Sequence, residues 1–179
     1  MLSSNTKSIN NTQTMVMLSL FIALSVVFGK QLSFTLGAIR ISFENLPILM
    51  AGIFFGCGAG ALVGGLADIV GCLIMGYTIN PIITLGSIAV GFISGLVYKS
   101  LRSTVTDQKL KFAISIMTAH VIGSMIVKSI GLYVYYHYDI SILLLRVPLY
   151  LVIGSLETTI IYLLSKHSSV KPLLNRLNQ

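Results

Sequence analysis

Apolar and polar positions divide the chain into six apolar segments, near residues 14–30, 44–56, 58–76, 81–101, 110–136 and 141–165. Each is bounded by residues that start or stop helices. Gly29-Lys30 follows the first, Pro47 lies close to the start of the second, and Gly56 to Gly58 separates the second from the third. Asn80-Pro81, the polar run RSTVTDQK and the run HYDIS precede the fourth, fifth and sixth. These runs predict six helices. The second, at about 13 residues, would rise only roughly 20 Å as a helix. It is too short to cross a bilayer comfortably, so it is expected to meet the third at a glycine turn near the cytosolic face. The first segment is not expected to be a cleaved signal, because its polar leader holds one lysine, Lys7, and GKQLSF follows it without an A-x-A type site.

Composition turns six helices into six membrane helices. Hydrophobic residues make up 55% of the chain, charged residues 9%, and the mean hydropathy is +0.90. A soluble domain rarely has this balance. The reading is an all-α polytopic membrane protein, a single transmembrane domain over 14–165 between a polar cytosolic start (1–13) and a basic cytosolic tail (166–179). The net charge of +7 does not point to nucleic acid, since the basic residues are dispersed near helix ends. Their distribution gives the orientation instead. With the amino terminus inside, Lys7, Lys99, Arg102, Lys109, Lys111, Lys166, Lys171 and Arg176 are internal, against Lys30 and Arg40 outside. Both termini are therefore expected in the cytosol, with residues 30–43 as the longest external loop. Cys57 and Cys72 lie in apolar runs and read as small buried hydrophobes.

Glycine weakens helices in water, so its density in GCGAGALVGGLADIVG needs another reason. Gly56, Gly60 and Gly64 recur every four residues and share a helix face, which in lipid lets a neighbouring backbone approach closely. Asp68 continues that row and is expected to point into the bundle, as a structural carboxylate or a ligand contact. Lys128, Arg146 and Glu157 are the other charges inside apolar segments. Each would cost roughly 2.5 to 3.5 kcal/mol at a bilayer centre before finding partners. Arg146 and Glu157 are about three turns apart, too far to pair, and with Tyr150 and Ile153 they form an inward stripe. Ser124, Lys128, Gly131 and Tyr135 form another on the fifth segment. An external pocket with basic and aromatic walls follows, suited to an anionic ligand with a flat ring. The plainer alternative pairs Lys128 and Arg146 with Asp68 and Glu157, and Arg40 with Glu44. Catalysis finds no HExxH, GxSxG or CxxC, and GLVYKS lacks the glycine a phosphate loop needs before lysine. His120 reads as a hydrogen-bonding group of the bundle rather than a base. No metal or cofactor is expected.

The run RISFENLPILMAGIFFGCGAGALVGGLADIVG, followed by NPIITLGSIAVGFISGL, resembles the substrate-binding membrane subunits (S components) of energy-coupling factor vitamin transporters, most closely the folate-specific ones. The resemblance spans roughly residues 14–165 and is most specific from Arg40 to Gly95. It implies six helices, a vitamin bound from outside beneath the first external loop, and no nucleotide site. It also implies partners: a membrane coupling subunit and two cytosolic ATPases, with transport by toppling of the whole subunit. The family's AxxxA contact for the coupling subunit reads Ser19 to Ala23 here, with serine keeping the small size that close approach requires. For folate, a flat pterin joined through aminobenzoate to a dianionic glutamate, Asp68 would pair with the pterin. Arg40, Lys128 and Arg146 would meet the acidic tail or the pterin carbonyl. Asn80 and Ser87 would add neutral polar contacts, and Phe43 and Tyr135 would stack. Of these, Arg40, Phe43, Asp68 and Asn80 lie in the region of resemblance. Other vitamins, an intramembrane enzyme and a small channel are the alternatives.

Overall fold

Backbone amides have no water to bond in hydrocarbon, so an apolar chain satisfies them within helices. The computed structural model describes residues 11–36 and 39–167, and among these the six segments are six helices. Helix α1 runs Asn11–Val26 and continues through a wide turn, Val27–Gln31. Helix α2 spans Asn45–Phe55, α3 Cys57–Met75 and α4 Pro81–Ser100. Helix α5 is Gln108–Tyr136, with a wide-turned middle at His120–Val127, and α6 is Ile140–Lys166. Five of them are long and apolar enough to cross a membrane, and α2 is the short one. The expected cytosolic end segments, 1–13 and 166–179, lie largely outside the described residues.

The ends follow local chemistry. The Asn80 side chain caps α4 by accepting from the amides of Ile82 at 3.0 Å and Ile83 at 3.3 Å, and Pro81 occupies the first turn, where its missing N–H costs nothing. Asp107 accepts from the Lys109 amide at 3.0 Å and caps α5. Between α2 and α3 the chain breaks at Gly56, whose φ is +96°. This corrects the glycine row. Gly56 is a turn residue with open space around it, outside α3, and contributes no packing face. The external loop differs too: it holds an antiparallel hairpin, β1 (Phe34–Leu36) and β2 (Ile39–Ile41), with Phe34 opposite Ile41. Three-residue strands are too short to show as a period in the sequence.

Helix α2 solves its shortness by burial. All its residues from Asn45 to Phe54 except Met50 are buried, and Ile48, Leu49, Ile53 and Val63 of α3 form the centre of the core with Val90 and Phe112. The enclosure is made by backbone against backbone. A Cβ on Gly60 would collide with the Gly91 carbonyl and the Gly52 Cα, one on Gly64 with the Ser87 carbonyl, and one on Gly95 with the Gly52 carbonyl. Helices α2, α3 and α4 thus meet along a glycine seam. Helix α1 lies on α2 and α3, and α6 packs chiefly on α5. Tyr98 of α4 stacks on Phe112 of α5, centroids 5.3 Å apart.

Candidate functional site

At the end of the bundle where α1, α3 and α5 finish and α4 and α6 begin, the helices diverge around a cavity of about 720 Å³. That volume lies within the roughly 300–1,000 Å³ usual for small-molecule sites. Three cations, Lys30, Lys128 and Arg146, and two anions, Glu44 and Asp68, line it together with Tyr77, Tyr136, Tyr138 and Tyr150.

One wall is acidic and amide-bearing. Asp68 is 4% exposed, and its Oδ2 lies 2.6 Å from the Thr84 hydroxyl, which donates to it from α4. Asn80 is a buried member of the same wall. Its carbonyl oxygen is committed to the helix cap, whereas its Nδ2 donor has no partner among the described residues. An unpaired buried donor costs on the order of 1–3 kcal/mol, so it is a natural place for a ligand acceptor. The basic groups come from α1, α5 and α6. Lys128 on α5 is only 8% exposed. Its ammonium donates to Asn45 Oδ1 at 3.4 Å and stands 3.8 Å from Glu44 Oε1. Arg146 on α6 donates from Nη1 to Ser129 at 3.0 Å and from Nη2 to the Tyr150 hydroxyl at 3.2 Å. Lys30 is set at the pocket by the wide turn that ends α1. It packs on Gly71 and lies 5.7 Å from the Tyr77 ring centroid.

The structure therefore brings Asp68, Asn80, Lys128 and Arg146 to one cavity and leaves out other candidates. Phe43 packs on the core and does not line the pocket, whereas its two neighbours, Ser42 and Glu44, do. Ser87 is fully buried outside the pocket; its carbonyl lies against the Gly64 backbone, and Thr84, one turn earlier, is the α4 hydroxyl that reaches Asp68. Tyr135 is 53% exposed and does not line the pocket. On α5 the pocket lies on the row Lys128, Leu132, Tyr136, whereas the neighbouring row through Gly131 abuts Ile82 and Ile83 of α4. The Arg40 side chain lies outside the described residues. Nor do the cations pair as the plainer alternative had it: Lys128 meets Glu44, and Glu157 bonds His120. Ser19 and Ala23 are both exposed and line a separate groove of about 330 Å³ beside α3. Glu44, Lys30 and Tyr136 line the pocket, and Thr84 holds Asp68 from behind it; none of the four was expected as a ligand contact from sequence. The spacing of Asn80 and Thr84, one turn apart, was the available signal for the last.

A multi-pass helical bundle with an apolar exterior and a polar pocket at one end defines a membrane protein with a candidate small-molecule site. The chain belongs to the family of ECF transporter substrate-specific components, whose profile matches residues 13–166. This is a family of transporter components, not of enzymes. Three solved structures share the fold. FolT bound with folic acid is similar at TM-score 0.70 and 21% identity, over 86% of this chain and 93% of that one. The biotin S component of an ECF-type ABC transporter gives 0.69 and 18%, over 90% and 96%. The S component of a bacterial ECF transporter gives 0.67 and 18%, over 95% and 100%. Comparison with curated protein sequences gives no significant match.

Proposed function

We propose that this chain is the folate-capturing subunit of an ECF vitamin uptake transporter. The observation that carries this reading is the gathering of Asp68, Asn80, Lys128 and Arg146 from four helices around one cavity, with tyrosines lining it as well. A carboxylate beside a free amide donor suits the amino, ring-nitrogen and carbonyl edge of a pterin. Two cations, one a planar guanidinium, suit the dianionic glutamate, and tyrosine rings suit the flat ring system. The similarity to FolT bound with folic acid agrees with this choice. The lysine and arginine distribution supports a pocket that opens outside and two termini in the cytosol, and the similarity to the S component of a bacterial ECF transporter suits a prokaryotic cell. The partners are the membrane coupling subunit and two ATPases, and the occupied subunit topples to deliver its ligand inward.

Isothermal titration of the purified protein in detergent, without partners, tests the ligand. One-to-one nanomolar binding of folic acid is expected, with pantothenate, riboflavin, thiamine and biotin silent. Tight binding of any of these in place of folic acid would overturn the assignment. The docking face is tested separately. Ala23→Leu places a branched side chain on the exposed face shared with Ser19, where close helix approach is required. Folate uptake by cells carrying the full transporter is expected to be lost while titration of the isolated subunit is unchanged. Normal uptake would move the coupling contact elsewhere.

A further inference from the structure

Deep in the bundle, outside the lining of the pocket, His120 of α5 and Glu157 of α6 are both fully buried and joined Nε2 to Oε2 at 2.5 Å. Two ionisable groups without water are costly, and a pair used only to fasten two helices is often replaceable by apolar residues at no loss. The pair is not isolated. The other ring nitrogen, Nδ1, lies 3.3 Å from the Ser124 hydroxyl. Asn45 of α2 donates from Nδ2 to that same hydroxyl at 3.4 Å, and its Oδ1 accepts from Lys128. Side chains on three helices thereby form one chain from a pocket cation to a buried carboxylate.

With Glu157 ionised and His120 neutral, every link has one donor and one acceptor. Lys128 donates to Asn45, Asn45 to Ser124, Ser124 to Nδ1, and Nε2–H to Glu157. The positive charge at the pocket and the negative charge in the core then terminate the same polarised chain, and each link strengthens the next. A second route exists. The His120 ring lies 5.2 Å from that of Tyr150, whose hydroxyl accepts from Arg146. Gly154, nearly one turn before Glu157, holds α6 close: a Cβ there would come 3.2 Å from His120 Cδ2.

We propose that His120 and Glu157, which do not reach the pocket, are positioning residues that fix the Lys128 ammonium through Ser124 and Asn45 for an anionic ligand. The proposal rests on the reading that the pocket takes such a ligand. The test is a double-mutant cycle read by folic acid titration. Glu157→Gln is expected to weaken binding about tenfold in the wild-type background and hardly at all in Lys128→Met. Ser124→Ala gives the same cycle should Glu157→Gln not fold. Equal losses in both backgrounds, or no loss in either, would overturn the proposal, since a merely structural pair acts without regard to Lys128. If wild-type protein binds no folic acid, that reading fails and the chain is judged by nitrogen NMR of the histidine rings. Lys128→Met and Asn45→Ala must then shift the His120 signals, and unchanged signals would dismiss the relay.

Discussion

Replacing both pocket cations, as Lys128→Ala/Arg146→Ala, is expected to weaken folic acid binding by about 10²- to 10⁴-fold, on the basis of roughly 1.5–3 kcal/mol for each hydrogen bond to a charged group. The two residues approach the cavity from different helices and have separate partners, Glu44 and Asn45 for one, Ser129 and Tyr150 for the other. Both sets nevertheless lead to His120, through Asn45 and Ser124 for Lys128 and through Tyr150 for Arg146, so the double loss should fall short of the sum of the single ones. Truncating Lys128 leaves Glu44 without its cation, so some loss of stability accompanies the loss of affinity. Gel filtration and circular dichroism separate the two, the latter being needed because the chain has no tryptophan for fluorescence. Wild-type affinity in a folded double variant would remove both side chains from the ligand's reach.

Gly60→Leu is expected to prevent folding into a monodisperse particle. Overpacking a core ordinarily costs about 1–3 kcal/mol, because side chains shift to make room. At Gly60 the atoms in the way are the Gly91 carbonyl and the Gly52 Cα, and a backbone held by helical hydrogen bonds has nowhere to move. The penalty should exceed the usual range. Gly58→Leu is the control, being on the same helix with nothing within 4 Å of where its Cβ would stand. Thermal melting followed by circular dichroism should leave Gly58→Leu near wild type and Gly60→Leu without a cooperative transition. A normal melt for Gly60→Leu would mean that the glycine seam is looser than the backbone contacts indicate.

Helix positions were legible because membrane burial imposes long apolar runs and because Asn80, Pro81 and Asp107 are strong local signals. The expected bounds 81–101 and 110–136 fall within a few residues of Pro81–Ser100 and Gln108–Tyr136. The four-residue row misled at Gly56, since a period says nothing about where a helix begins. Whether a glycine packs or turns depends on a backbone angle that the sequence does not display. The site was legible as a set of buried charges, and Asp68, Lys128 and Arg146 do converge. Their partners were not, because Glu44 meeting Lys128 and His120 meeting Glu157 are set by how α5 lies against α2 and α6. Tyr135 went astray for the same reason. The row through Lys128 can be continued by either of two adjacent tyrosines, and only the location of the cavity chooses Tyr136.

The glycine seam has a consequence for discrimination among ligands. Glycine has no rotamers to freeze, so α3 and α4 are locked by contacts with no side-chain freedom to recover. Asp68 and Asn80 stand on that stiff half. Lys128 belongs with them, since Gly86 of α4 lies against the Gly123 carbonyl and the Lys128 amide, whereas Arg146 stands on α6, which meets α5 through longer side chains such as Met117 and Tyr150. A molecule seated between the halves is measured by two different rulers. The end against Asp68 and Asn80 must fit a fixed template, so small changes to its hydrogen-bonding edge should be punished severely. The end against Arg146 meets an adjustable one, and variation in the length of its acidic group should be forgiven.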